Sequence, residues 1–359
     1  MKVILSRNVN EAYVVGLRSL DAYGDIQDSR VGQTKVHPYP VSTVYAYPCE
    51  RVLFNEKRDA NPFFHLMEGL WMLAGCNDVE WISRYNNTFS QFSDNGITFN
   101  AAYGYRWRKH FNRDQLDELV KMLKDEPNTR RAVISMWDPY ADFNQSGKDF
   151  PCNLNIAFRI RKDKLTMTVF NRSNDIIWGA YGANAVHMSM LQEYIAARVG
   201  IEIDRYTQVS NDYHAYVEVL DRVGIPNPHP MDPYEMQEVK PYPLVDDPAI
   251  WNYNLDCFMH DTALFHKWCG YASPTDFKFD MKTFSLTPFF SDIAVPMARA
   301  WGVYKKKDYK AAITIITENM PDKCDWKVAC RAWLLRRIER NATRNAEKGR
   351  GRQKVAHDN

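Results

Sequence analysis

Cys152 directly follows a proline, and two strand-like segments lead from it to Asn171-Arg172-Ser173-Asn174-Asp175. The segments, residues 153–160 and 164–171, alternate in the strand manner around the charged turn Arg161-Lys162-Asp163, which predicts a hairpin. A strand pair folded this way brings Arg172 back beside the thiol. A nearby guanidinium favours thiolate, and thiolate is the nucleophilic form of cysteine. The stretch therefore reads as a nucleophile with its activator.

Other residues could do chemistry beside it. Glu68 sits in the middle of residues 61–75, NPFFHLMEGLWMLAG, which are apolar on nearly every side and predict a buried helix. A carboxylate there is costly unless it is paired, or protonated and functional. The helix alone leaves a buried ion pair and a catalytic role equally open. Residues 28–34 form a polar turn with one arginine, Arg30, readable as a solvated loop or as an anion-binding one. Arg130 and Arg131 precede a strand at 132–137, as a solvated edge or as an anion clamp; the planar guanidinium fork can hold two phosphate oxygens. His214 and Tyr216, two apart on an extended segment, point to one side, and both can hydrogen-bond a sugar hydroxyl. The Asn184 amide can both accept and donate a hydrogen bond. His187, Met188 and Met190 read as core packing.

The elements that position these residues follow from periodicity. A first helix is predicted around residues 9–22. Residues 114–126 place Leu116, Leu119, Val120 and Leu123 at helical spacing opposite charges. Residues 182–200 read as a largely apolar helix stopped by Gly200, and 204–210 as a strand. Residues 225–250 are proline-rich and irregular, and about 250–345 read as helices. The basic stretch 331–354 reads as a solvated helix with a frayed end. We divide the chain into a catalytic core, 1–224, and an extension, 225–359, packed on it.

Composition narrows the function classes. The net charge is +2, so bulk charge predicts no nucleic-acid or membrane partner. No window approaches the roughly 20 apolar residues of a membrane span. The first residues do not read as a signal peptide, and seven scattered cysteines without a CxxC pair suggest neither a disulfide frame nor a metal site. The expectation is reduced thiols in a cytoplasm.

Phe150-Pro151-Cys152, Asn171-Arg172-Ser173 with Asp175 and Asn184, and Asp212-Tyr213-His214-Ala215-Tyr216 together resemble the thymidylate synthase family, which includes phage-type pyrimidine hydroxymethyltransferases. The resemblance covers about residues 28–220. It implies an α/β (α+β) fold: a mixed twisted sheet covered by helices, here with a helical C-terminal extension, dimerising through the outer face of the sheet. It implies 5,10-methylenetetrahydrofolate as co-substrate, no metal, and a pyrimidine deoxynucleoside monophosphate, with dUMP favoured by Asn184. Cys152 would attack carbon 6, Glu68 would move protons, and Tyr103 would assist proton removal from carbon 5. Arg30, Arg172 and Ser173 would hold the phosphate, joined by Arg130 and Arg131 reaching from the partner of a homodimer. His214 and Tyr216 match ribose ligands, Asp175 the pterin ligand, and Phe89 stands where a tryptophan is expected against folate.

Departures from the family pattern bear on the product. Besides Phe89, Asn153 follows the cysteine where histidine is expected, and Asn171 precedes the arginine where glutamine is expected. Residues 178–183 are one residue longer, and the extension replaces the closing tail. They weaken the dry, stacked site that hydride transfer needs, so dUMP 5-hydroxymethyl transfer is favoured over synthesis of dTMP or hydroxymethylation of dCMP. Two other classes stay open. One is a non-catalytic nucleotide- or RNA-binding homologue using the basic tail. The other is a cysteine hydrolase pairing Cys152 with His214, which the arginine-rich surroundings and the lack of an oxyanion motif disfavour.

Overall fold

One long strand, hydrogen-bonded on both edges, runs through the middle of a mixed eight-stranded sheet. The computed structural model describes residues 1–143, 146–228, 231–271, 273, 276 and 287–357, with side chains of the last helix placed as far as residue 343. In chain order the strands are β1 (Lys2–Ser6), β2 (Asp25–Ser29), β3 (Gly32–Val36), β4 (Val41–Tyr45), β5 (Val133–Ser135), β6 (Asn153–Arg161), β7 (Lys164–Asp175) and β8 (Glu202–Tyr216). Their order across the sheet is β1-β4-β8-β7-β6-β5, with the β2–β3 hairpin attached along the end of β8. β7 pairs antiparallel with β6 and parallel with β8.

The β6–β7 turn has Lys162 and Asp163 at φ 50° and 58°, the left-handed pair that matches the twist of a tight hairpin. β7 runs four residues past the sequence expectation, and those residues carry Arg172 to Asp175. Residues 28–34, expected as a turn, instead span a hairpin whose tip holds Arg30, because β3 finds a partner in the last residues of β8.

Helices cover one face. These are α1 (Val9–Tyr23), α2 (Pro62–Leu73), α3 (Val79–Ser83), α4 (Tyr103–Arg108), α5 (Gln115–Asp125), α6 (Pro139–Asp142), α7 (Asn184–Val199) and α8 (Val217–Val223). All twelve residues of α2 are buried, as its all-round apolar pattern requires; Asn61 caps it and Pro62 opens it. On β7, Leu165, Met167 and Val169 face this core, while the outward face leaves Phe170 and, on β5, Val133 exposed. Residues 178–183, expected as a loop, lie within a π-helical turn, Ile176–Ala183, leading into α7. A π turn absorbs one extra residue in a helix, which accounts for the added length.

The extension contains α9 (Trp251–Trp268), α10 (Val295–Lys305), α11 (Tyr309–Asn319) and α12 (Asp325–His357). Its aromatic residues lie behind α2: the Phe63 ring centroid is 5.5 Å from that of Trp301 and 5.7 Å from that of Trp333. The first part of the basic stretch is packed rather than solvated. Trp333 and Leu334 are buried, and Arg336, Arg337 and Arg340 converge on Asp59 at 2.9, 2.6 and 2.6 Å. Among the described residues no helix is long and apolar enough to cross a membrane.

Gly104 is where α4 meets the end of α2: a Cβ there would lie 1.9 Å from the Met72 carbonyl oxygen. Backbone cannot move aside as a flexible side chain does. Gly104→Ala is expected to lower stability by about 1–3 kcal/mol, read as a lower urea midpoint with an unchanged slope.

Candidate active site

Cys152 and Arg172 are brought together by the ladder. Asn153 faces Asn171 in register, and the Arg172 amide donates to the Cys152 carbonyl at 2.9 Å. The guanidinium folds back over the Phe-Pro-Cys turn: Nε donates to the Pro151 carbonyl at 3.0 Å, and Nη2 lies 3.4 Å from the Phe150 carbonyl and 4.0 Å from the Cys152 sulfur. Cys152 opens into a cleft of about 300 Å³ that Glu68, Phe89, Tyr103 and Asn184 also line. Five of the candidate residues thus share one cavity.

Burial governs the ionisation there. It pushes the Cys152 thiol up, against the lowering effects of the Arg172 charge and a hydrogen bond from Tyr103. The guanidinium acts in the expected direction but does not outweigh desolvation. Tyr103 is likewise held in its neutral form by burial, while backbone groups of Asn153 and Cys152 hydrogen-bond its hydroxyl. Glu68 is pushed up to about 8 by burial alone, and its Oε2 has no hydrogen-bond partner. The ion-pair reading of Glu68 is unsupported: the nearest base, His187 Nε2 at 3.4 Å, is itself lowered to about 3 by burial and donates to the His65 carbonyl.

Ser173, Asp175, His214 and Tyr216 stand at the ends of β7 and β8 outside the lining of the cleft, with Asp175 and Tyr216 close enough to Cys152 to interact with it electrostatically. Asp175 Oδ1 accepts from the amides of Ile177 and Trp178 at 2.8 and 2.6 Å, capping the π turn, while Oδ2 is buried without a partner. Ser173 lies in register with Asp212, and Asp175 with His214. His214 and Tyr216 do point to one side, their rings perpendicular at 5.8 Å. Burial lowers the His214 pKa, but its 2.5 Å contact with Asp212 and the Asp175 charge outweigh that and raise it. Nδ1 is thus committed to Asp212, and no hydrogen bond joins His214 to Cys152 among the described contacts, which leaves the cysteine-hydrolase pairing without a base. Arg30 is exposed at its hairpin tip, close enough to Tyr216 to lower its pKa against a net rise caused by burial. Arg130 and Arg131 stand elsewhere, exposed before β5, with Arg131 paired to Glu126 at 2.9 Å.

Sequence reasoning missed three lining residues. His187 was assigned to packing, yet it lies three positions after Asn184 on the same helix face, a signal available from spacing. Trp71 lies three positions after Glu68 in the same way. Asp149 accepts from the amides of Asn100 and Ala101 at 2.6 and 3.3 Å, pinning the segment that leads into Tyr103; no local pattern announces that contact. No group of three or more His, Cys, Asp or Glu among the described residues is placed to hold a metal ion.

Comparison with known proteins agrees with this geometry. The thymidylate synthase family matches residues 57–228. A deoxyuridylate hydroxymethyltransferase of Pseudomonas phage M6 is 44% identical over 350 residues, covering 94% of this chain and 95% of its own. A deoxyuridylate hydroxymethyltransferase of Bacillus phage SP01 is 40% identical over 191 residues, half of each chain. A putative thymidylate synthase of Methanothermobacter thermautotrophicus is 36% identical over 162 residues, 44% of this chain and 71% of its own.

The Glu68 carboxyl gives a stability signature. Its folded pKa of about 8 lies above the unfolded value near 4.5, so the folded chain keeps a proton that the unfolded chain has released. Stability from this group is therefore full below about pH 4.5 and falls as pH rises towards 8, by up to about 1.4 kcal/mol per pH unit. Glu68→Gln removes the dependence: urea unfolding should show the variant gaining on the parent between pH 5 and 8.

Proposed function

This chain belongs to the thymidylate synthase family, and we propose that it adds a hydroxymethyl group to carbon 5 of dUMP. The observation that carries this reading is one cleft holding Cys152, held between Arg172 and Tyr103, together with a buried neutral carboxyl and the Asn184 amide.

Carbon 5 of uracil is a poor nucleophile. Addition of the Cys152 thiolate to carbon 6 makes the ring an enolate, nucleophilic at carbon 5. Arg172 and the Tyr103 hydroxyl oppose the desolvation of that thiolate, and Asn184 steadies the charge that develops at O4. Glu68, neutral at physiological pH, is suited to deliver a proton and, once ionised, to take one back. Tyr103 assists removal of the carbon 5 proton. Arg30, Arg172 and Ser173 hold the phosphate, and His214 and Tyr216 the ribose hydroxyl.

Methylenetetrahydrofolate supplies the one-carbon unit when bound. The residues present fit it: Asp175 keeps a buried, unpartnered Oδ2 that can accept from a pterin N–H, and Phe89 offers an apolar wall. Once the one-carbon unit is on carbon 5 as an exocyclic methylene, the carbon 5 proton having left, water adds to the methylene and gives up a proton, and the enolate so formed re-makes the C5–C6 double bond by expelling the Cys152 thiolate.

Arg130 and Arg131 are read as serving the active site of a second copy. The exposed Val133 and Phe170 on the outward sheet face provide the apolar surface for that homodimer. Residues 225–359 are read as an extension that braces α2 from behind, and the site of action as the host cytoplasm.

Incubation with dUMP and methylenetetrahydrofolate should give 5-hydroxymethyl-dUMP by mass spectrometry with a flat trace at 340 nm. A rise in absorbance with a methylated nucleotide would instead mean dTMP synthesis. Cys152→Ala should abolish product. Mixing inactive Cys152→Ala with an inactive Arg130→Ala/Arg131→Ala double variant should restore activity through mixed dimers that carry one intact site. No restoration, or full activity in a monomer, overturns the shared-site reading.

A further inference from the structure

An amide side chain looks nearly the same from both ends, yet its two ends recognise opposite bases. Asn184 can accept with oxygen and donate with nitrogen, as uracil requires, or be turned over and present the pattern cytosine requires. The structure assigns the choice to two residues that line no part of the cleft, Gln208 on β8 and Asn174 on β7, acting as positioning residues for base selection. This rests on the reading of Asn184 as the amide that meets the pyrimidine.

One atom in this chain of hydrogen bonds has no freedom. The Ala180 carbonyl, in the π turn, can only accept. It receives the Tyr45 hydroxyl at 3.0 Å and one end of the Gln208 amide at 2.9 Å. Because that hydroxyl donates to the carbonyl, its lone pairs face Gln208, which also donates to it at 2.5 Å. Both contacts require the Gln208 nitrogen at this end. Its oxygen is therefore turned to Asn174, whose nitrogen donates to it at 3.1 Å and to the Ser210 hydroxyl at 3.0 Å. The Asn174 oxygen is then left to accept from the Asn184 nitrogen, at 3.1 Å. Asn184 keeps its oxygen and one N–H, which is the complement of uracil N3–H and O4.

Turning any one amide over would set N–H against N–H or oxygen against oxygen at the next link. Gln208, Asn174 and Asn184 are all at least nine-tenths buried, so such a mismatch cannot be relieved by solvent. The chain closes on itself. It begins at Ala180 and ends at Asn184, whose own amide N–H donates to the Gly179 carbonyl across the π turn. Gly179 completes the fit: a Cβ there would lie 2.9 Å from the Asn174 oxygen and 3.3 Å from the Asn184 nitrogen, so a side chain would press on the link nearest the base.

The test compares dUMP with dCMP, by calorimetric binding and by kcat/KM, in the parent and in variants. The parent should prefer dUMP. Gln208→Met removes the anchor, frees Asn174 and Asn184 to turn together, and should lower the dUMP:dCMP ratio about tenfold, with dCMP gaining in absolute terms. Gln208→Glu, protonated at this buried position, can still donate to the Ala180 carbonyl and accept from Asn174, and should keep the parent ratio. Adding Asn174→Asp to Gln208→Met should restore it, since a carboxylate can only accept from the Asn184 nitrogen. Should Gln208→Met not fold, Asn174→Leu breaks the next link and carries the same expectation. An unchanged ratio in the folded single variant, both nucleotides weakening equally, overturns the proposal, as does a parent that prefers dCMP. If the parent binds dUMP selectively without turning it over, the proposed function fails while the binding ratios still decide the relay.

Discussion

The site depends on β7 being hydrogen-bonded to β6 as far as Arg172 and to β8 as far as its last residue, Asp175. Pairing with β6 sets Asn171 opposite Asn153 and so Arg172 beside Cys152. Parallel pairing with β8 carries on to Ser173 opposite Asp212 and Asp175 opposite His214. One ladder thus holds Cys152, Arg172, Ser173 and Asp175 at fixed intervals against His214. A slip of one residue would turn each of these side chains to the other face. The register is protected because Leu165, Met167 and Val169 on the same strand are buried in the core, and a slip would exchange them for Thr166, Thr168 and Phe170.

Burial has a common effect on the groups this ladder gathers. Cys152, Tyr103, Glu68 and Asp175 are each shifted toward the protonated form, with desolvation the largest cause in every case. Cys152, Tyr103 and Glu68 therefore add little negative charge to the cleft next to Arg172. That suits a site that must take in a phosphate dianion. It also means that the Cys152 thiol rests protonated, with Arg172 and the Tyr103 hydroxyl as the groups that favour its thiolate. The sequence places Arg172 near Cys152 but says nothing about how far the thiol is from water, which is why its net shift runs opposite to the arginine's effect.

Much of the fold was legible because it is written locally. The alternation in residues 153–171 and the all-round apolar pattern about Glu68 follow from period alone, and both elements are found where expected. The β2–β3 hairpin was not legible, since it depends on β8 offering an edge to β3 from far along the chain. Nor was the π turn: its extra residue is visible as added length, but whether that length loops out or is wound into a helix depends on Asp175 capping the turn and on Gln208 holding Ala180. The packing of the basic stretch depends likewise on Asp59, some 280 residues away in sequence. Of the candidate site, the residues within short motifs converge as their spacing suggests. Asp149 and the Gln208–Asn174 chain were invisible because their partners come from separate elements.

The final step of the reaction turns on water. Hydride transfer needs a covering element that keeps the new exocyclic methylene dry. Among the described residues, those lining the cleft run no further along the chain than His187, and the extension lies on the far side of α2. Phe89 packs into the wall, its ring 5.3 Å from Phe64 and 5.0 Å from Phe99, while its neighbour Phe92 is exposed. The chain's added helices thus spend their apolar surface on stiffening the helix that carries Glu68 rather than on covering the cleft. Among the described residues, none of those helices lines the cleft, and this agrees with the proposed capture by water rather than by hydride.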